Sequence, residues 1–204
     1  AQAAESNPAG IQLVAEGSIW KADFEQAAAP ALALATLSPT DEPTTSRTTA
    51  LHRSLAAFDP ANTDSAITLS DGRIEGDPGN GTLLAEAGDI LADRGLMIQA
   101  SPYWDRIIQT APGDAQSYLA SATVYWDYYL FYQAIAQLNE GRRQLGKRSL
   151  YSFEAGAIEE GRNDPGAAIR EYLQGALDQP PDEQSRQRLV TLARRAGYRD
   201  QIDQ

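Results

Sequence analysis

Along the middle of the chain, apolar residues recur every three or four positions, as in Leu84, Ala87, Gly88 and Leu91, then Ala100, Trp104, Ile107 and Ile108. That is the spacing of one helical face, not the alternation of a strand, and it predicts two helices joined by a turn. The motif then returns. Ala66, Ala100, Ala134 and Ala168 recur at a strict period of 34, and Pro78, Pro112 and Pro180 each follow the alanine of their own repeat at a constant offset of 12. Gly146 stands in the breaker's place where proline is missing. Ala27 and Pro39 repeat the same offset, and the interval from Ala27 to Ala66 is one period plus a five-residue insertion in the Pro/Thr/Ser-rich stretch 38–46. Five helix pairs are therefore expected.

Within each repeat the small residues Gly88, Ala122 and Gly156 keep the same period. Glycine inside a helix costs about 1 kcal/mol against alanine, so its recurrence at one phase points to close packing of neighbouring helices. Leu84, Tyr118 and Tyr125 are expected to fill the space beside these positions. Asp164-Pro165-Gly166 reads as a helix start, with Asp164 as N-cap and Pro165 at the first helical position. Pro30 and Pro102 require their helices to begin late enough to keep both prolines in the first turn.

The pattern W-x2-L-G-x2-Y, then A-x3-F, then P at a period of 34 is that of the tetratricopeptide repeat, and residues 81–182 resemble it in three consecutive copies. The copy 81–114 carries Leu84, Ala87, Gly88, Leu91, Ala100, Trp104 and Pro112; the copy 115–148 carries Tyr118, Ser121, Ala122, Tyr125, Ala134, Leu138 and Gly146. The copy 149–182 carries Ser152, Ala155, Gly156, Glu159, Ala168, Tyr172 and Pro180, departing from the pattern at Ser152 and Glu159. Residues 8–80 look like two degenerate copies, the second with Asp71-Gly72 inside its second helix, after a disordered or extended N-terminal segment 1–7. Residues 183–204 look like a capping helix and tail, with Leu189, Val190, Leu192 and Ala193 apolar among arginines. The resemblance implies an all-α, right-handed superhelix of about five helix pairs plus the cap, and a protein- or peptide-binding scaffold as the function.

Composition narrows the partners. The 204 residues carry 17 Lys and Arg against 28 Asp and Glu, a formal charge of −11, with a sequence pI near 4.5 and a mean hydropathy of −0.43. Such acidity repels phosphate backbones, which argues against nucleic acid, and no apolar stretch approaches the roughly 18 residues that membrane insertion needs. The acidity is concentrated in residues 1–141, with six basic and eighteen acidic side chains, whereas 142–204 is nearly balanced. The absence of cysteine removes disulfides and thiolate chemistry. The small-residue start Ala1-Gln2-Ala3-Ala4 fits removal of an export signal, so a periplasmic or secreted location is expected ahead of a cytoplasmic one.

Catalytic groupings are poor. His52 is the only histidine and sits among Ala50, Leu51 and Leu55, as a core residue would. No phosphate-binding loop, HExxH or GxSxG motif is present, and no cofactor or metal is expected. The carboxylate pairs Asp89/Asp93 and Glu159/Glu160 read as solvated surface. The run Tyr125-Trp126-Asp127-Tyr128-Tyr129-Leu130-Phe131-Tyr132 holds six aromatics in eight residues, more than a core needs. Tyr125 is expected at the helix–helix contact, and Tyr129 or Phe131 in the turn. Leu119, Thr123, Trp126 and Asp127 share a helical face, which the family resemblance makes the lining of a concave groove. Carrying that phase to the flanking repeats adds Asp89 and Asp93 before it, and Phe153, Ala157 and Glu160 after it. Such a groove suits a peptide with apolar and basic side chains. The basic clamp that some relatives use on a C-terminal peptide is missing, since Thr82, Asp89, Gln116 and Thr123 stand at its phases. Enzymatic cleavage of a polysaccharide beside Trp126, Tyr128 and Glu160 is the alternative, as is an accessory module of a larger exported protein.

Overall fold

The computed structural model describes Ile11, Ser18 and residues 23–195, and the chain divides into two compact units, Ala1–Thr110 and Ala111–Gln204. Every regular element among the described residues is a helix. The first unit holds α1 (Phe24–Leu37), α2 (Glu42–Leu55), α3 (Ala61–Gly76), α4 (Gly81–Ala92) and α5 (Met97–Thr110), each packed on the next. The second holds α6 (Ala115–Asp127), α7 (Phe131–Leu145), α8 (Ser152–Gly161), α9 (Pro165–Ala176) and α10 (Glu183–Arg195) in the same serial order. The repeat is tetratricopeptide-like in structure as well as in sequence, with two helices and a turn in every period. The first helix of the first expected pair, the segment 1–7 and the tail after Arg195 fall outside the described residues, apart from Ile11 and Ser18, which are helical.

The alanines that define the period are the best-buried residues of the fold. Ala27, Ala66, Ala100, Ala134 and Ala168 each have 0% exposure. One turn further along, Trp104, Leu138 and Tyr172 are buried to 0–1%. A Cβ placed on Gly88 would lie 2.8 Å from Trp104 Cε2, and one on Gly156 would lie 2.6 Å from Tyr172 Cδ1. These indole and phenol rings therefore occupy the space left by the two glycines; Leu84, Tyr118 and Tyr125, expected beside them, are buried as well. In the middle hairpin the same phases hold Ala122 and Leu138, so one position gains a methyl group where its partner phase loses a ring.

The irregular third repeat has a packing cause. A Cβ on Gly175 would meet Ser152 Cβ at 2.8 Å and Ser185 Oγ at 2.7 Å, so α8, α9 and α10 approach closely through small residues. A large side chain at Ser152 would have no room. In the preceding hairpin Gly141 occupies the phase of Gly175, and there Tyr118 and Tyr151 fill the space instead.

The helix ends are set locally. The side chains of Asp23, Asn80, Asp114 and Asp164 each accept a backbone N–H of the first turn of α1, α4, α6 and α9, as N-caps do. The prolines depart from expectation. Pro30 and Pro102 lie well inside α1 and α5, past the first turn. Pro102 is exposed and the carbonyl it frees belongs to Ile98, a residue 92% exposed, so water can satisfy the lost bond. Asp71 and Gly72 also sit within a continuous helix; Gly72 has open space around it, and Asp71 accepts a 2.9 Å hydrogen bond from the Tyr103 hydroxyl of α5. The Pro/Thr/Ser-rich stretch 38–46 divides between a short turn and the start of α2.

Arginines tie helices that are not consecutive. Arg73 of α3, its side chain 6% exposed, reaches Glu42 of α2 and Glu86 of α4, each at 2.7 Å. Arg142 of α7 reaches Glu171 of α9 at 2.6 Å and donates from Nε to the Leu150 carbonyl. It does more than complement a helix dipole, the role its position near a helix end suggests.

Gly88→Ala is expected to lower the stability by about 1–3 kcal/mol, because the new methyl overlaps a buried indole. Adding Trp104→Leu, which recreates the Ala122/Leu138 pairing, should recover part of that loss in urea titration. Simple addition of the two losses would show that the residues do not share one space.

Candidate functional site

The expected groove residues fall in both compact units. In the first, Asp89 is half-buried on α4 and Asp93 follows one turn later at its C-cap. Asp93 is not a loose surface charge, since Arg53 of α2 donates to its Oδ2 from Nε at 2.8 Å and from its terminal nitrogen at 2.7 Å. His52 is buried, with Nδ1 2.7 Å from Asn62 Oδ1; an amide oxygen only accepts, so Nδ1 carries the proton.

In the second unit, Leu119 and Thr123 lie one turn apart on α6, where the Thr123 hydroxyl donates to the Leu119 carbonyl at 2.8 Å. Trp126 is half-buried and Asp127, the last residue of α6, is exposed. Phe153 of α8 packs at 6.0 Å between ring centroids against Tyr172 of α9. Glu160 is held firmly. It accepts from the Tyr172 hydroxyl at 2.6 Å, and from Arg188 of α10 at 2.6 and 2.5 Å in a two-point pair. The Arg188 guanidinium, and after it the tyrosine hydroxyl, hold the Glu160 carboxyl below its ordinary value, against the opposing effect of burial. Burial and this anionic neighbour push the Tyr172 hydroxyl up. Glu159 is 7% exposed and pairs with Arg162 at 2.6 Å. Of the expected acidic lining, Asp93 and Glu160 are thus paired with arginines, and Asp127 is exposed.

The aromatic run builds a surface at one end of these hairpins. Phe131 and Trp126 flank Gly161, where an added Cβ would lie 3.1 Å from Phe131 Cε1 and 3.6 Å from Trp126 Nε1. Tyr129 meets Phe131 edge-on, 6.0 Å between centroids and 80° between planes. The Arg162 guanidinium lies 4.2 Å above the Tyr132 ring, a cation–π contact. Tyr129 is 79% exposed and Tyr132 73% exposed. Of the two residues expected to pack in the turn, Phe131 does and Tyr129 does not.

Backbone geometry makes Tyr129 stand out. Gly95, Tyr129 and Asn163 share one phase of the repeat, and all three have left-handed backbones, at φ 75°, 61° and 61°. Each lies in the same turn, with one N–H bonding three residues back and the next N–H five residues back, as in Leu96 to Leu91, Leu130 to Tyr125 and Asp164 to Glu159. Glycine and asparagine tolerate this conformation; a tyrosine side chain costs about 1–2 kcal/mol there. Tyr129 is thus unfavourable both in conformation and in exposure. Comparing positions 95, 129 and 163 is the signal that would have found it; helical-face reasoning reached Trp126 and Asp127 but missed Tyr129, Tyr132 and Arg162.

No protein-family model matches the chain, and no curated protein matches it. Among solved structures, a crystal structure of MamA protein is similar over 83% of this chain and 90% of its own, at 14% identity and a TM-score of 0.48. MamA 41-end from Desulfovibrio magneticus RS-1 is similar over 82% and 92%, at 15% identity and a TM-score of 0.46. YrrB, described as a TPR protein with an unusual peptide-binding site, is similar over 88% and 90%, at 13% identity and a TM-score of 0.43. At such values the fold rests on the repeat geometry itself.

Glu160→Gln should cost about 1 kcal/mol at pH 7, where the charged pair is intact. The folded carboxyl titrates below its ordinary value of 4.5, so this stabilisation is present above that value and lost as pH falls through the lower folded one. The gap between the urea midpoints of the two proteins should therefore narrow as the pH is lowered from 7 to below 4.5; a gap that does not depend on pH would remove the ion pair as its cause.

Proposed function

We propose that this protein is a non-catalytic scaffold that binds a protein or peptide through the aromatic surface of its second unit. Trp126, Tyr129 and Tyr132 supply stacking faces, and Asp127, next to them in the chain, supplies a carboxylate. Leu119 and Thr123 extend the surface along α6, with Phe153 and Glu160 on α8 as its structural backing. The observation that carries the reading is Tyr129, held in a left-handed turn position where the sister turns carry glycine and asparagine. Exposed aromatic rings beside a carboxylate favour an extended partner with apolar side chains and one or two lysines or arginines.

The enzymatic alternative is weaker on chemical grounds. A general acid on a glycosidic bond needs a raised carboxyl pKa. The carboxyls of Glu42, Glu140 and Glu160 are each held below their ordinary value by a hydrogen-bonded arginine, and that of Asp178 by the Ser149 hydroxyl. Glu160, the acid placed by the sequence beside the aromatic platform, is committed to Arg188 and Tyr172.

A peptide-display library selected on the wild-type protein should yield sequences enriched in basic and aromatic or aliphatic residues. Tyr129→Gly, and separately the pair Trp126→Ala with Asp127→Lys, should each weaken the selected peptides at least about tenfold with the helical signal unchanged. Tyr129→Gly should keep wild-type stability or gain up to about 1 kcal/mol, since the left-handed cost is relieved. Peptides that bind all three proteins alike would place the binding surface elsewhere.

A further inference from the structure

The aromatic surface of the second unit carries hydrogen-bond donors as well as rings. Gly161, the exposed last residue of α8, leaves a notch where a side chain would stand; a Cβ there would lie 3.6 Å from Trp126 Nε1 and 3.1 Å from Phe131 Cε1. Its backbone does not demand glycine, since the left-handed glycines among the described residues are Gly95 and Gly146. An indole N–H and a phenyl ring therefore border an empty place. Beside it, Tyr129 stands edge-on to Phe131 and is 79% exposed. Tyr132 is 73% exposed with the Arg162 guanidinium over one face, so its opposite face is open to water. Among the described residues nothing hydrogen-bonds to Trp126 Nε1 or to the Tyr129 hydroxyl, and no cation pairs with the Asp127 carboxylate.

These groups select a backbone conformation in the partner. A bound α-helix satisfies its N–H and C=O groups internally and has no use for side-chain donors, and an added β-strand needs a sheet edge, whereas every regular element among the described residues is a helix. A polyproline II segment is the case that fits. It makes no internal hydrogen bonds, so its carbonyls accept from donors such as an indole N–H or a phenol, and its prolines bring no N–H in need of an acceptor. Its rings are flat enough to stack on tyrosine, and it loses little conformational entropy on binding, which suits a surface of a few side chains. Resting on the peptide-binding reading above, we propose that the partner segment is proline-rich and binds as a polyproline II helix. One proline sits over Gly161 between Trp126 and Phe131, others stack on Tyr129 and Tyr132, and a flanking lysine or arginine meets Asp127.

The test uses the full chain and two labelled peptides of roughly nine residues, three turns of polyproline II. One is an oligoproline ending in arginine; the other has alanine in place of every proline. By fluorescence anisotropy, wild type should bind the proline peptide at least about tenfold more tightly than the alanine peptide. Gly161→Gln, which fills the notch, and Trp126→Phe, which keeps a ring but removes the N–H, should each weaken the proline peptide at least about tenfold. Asp127→Asn should weaken it less and remove most of the dependence on salt. In a heteronuclear NMR spectrum of wild type, the indole N–H resonance that Trp126→Phe abolishes should shift when the proline peptide is added. Circular dichroism checks that each variant is folded. No preference for the proline peptide, including no binding of either, would overturn the proposal, as would proline-peptide binding that is unchanged in folded Gly161→Gln and Trp126→Phe. Display-selected peptides that still require Tyr129 would then leave the aromatic surface as a binding site with a different partner, whereas selected peptides indifferent to Tyr129 would end both readings.

Discussion

Two helices can cross closely only if what one projects, the other omits, and every hairpin between Gly81 and Ala176 is built on that constraint. Trp104 lies against Gly88, Tyr172 against Gly156, and Leu138 stands at the same phase as these rings opposite Ala122. Burying side chains of this size contributes about 1.5–3 kcal/mol each, which outweighs the roughly 1 kcal/mol that a glycine costs its helix. The exchange of Gly and Trp for Ala and Leu shows that the crossing conserves volume and not residue identity. Where all the facing positions are small, at Ser152, Gly175 and Ser185, the backbones themselves close the gap.

That crossing fixes where the turns fall, and the turns fix what can be displayed. Once the helices are held, the residues that link them have one geometry available, with a left-handed residue in its middle. At 95 and 163 the chain meets this with residues suited to it; at 129 it places a tyrosine there and leaves the ring in water. The cost is small beside the packing of the hairpin, so the fold tolerates it. Beside this tyrosine, Trp126 and Phe131 close around Gly161, and the Arg162 guanidinium sits over the Tyr132 ring.

The hairpins from Gly81 onward were legible because their small residues recur at one period and helical spacing marks the buried face. Which large residue fills the space beside a glycine was not legible in the same way: phase gives the face of a helix, not its neighbour, and Trp104 and Tyr172 come from the second helix of the pair while the glycines they cover belong to the first. The tolerance of Pro30 and Pro102 inside helices depends on surroundings that spacing alone does not report. In the candidate site, Trp126 and Asp127 followed from their face, whereas Tyr129 depended on the sign of a backbone dihedral. The arginines that hold Asp93 and Glu160 come from 40 and 28 residues away, beyond any local pattern.

Those arginines also divide the charge of the chain into two roles. The scarce cations Arg53, Arg73, Arg142, Arg162 and Arg188 are each engaged with carboxylates within the fold, at 2.5–2.7 Å. The excess of acid that remains is spread over the surface, where ions screen it beyond about 8–10 Å. A diffuse field of that kind can speed the approach of a basic partner but cannot orient one in contact. On the proposed reading, orientation then comes from the aromatic rings of the second unit, with Asp127 beside them.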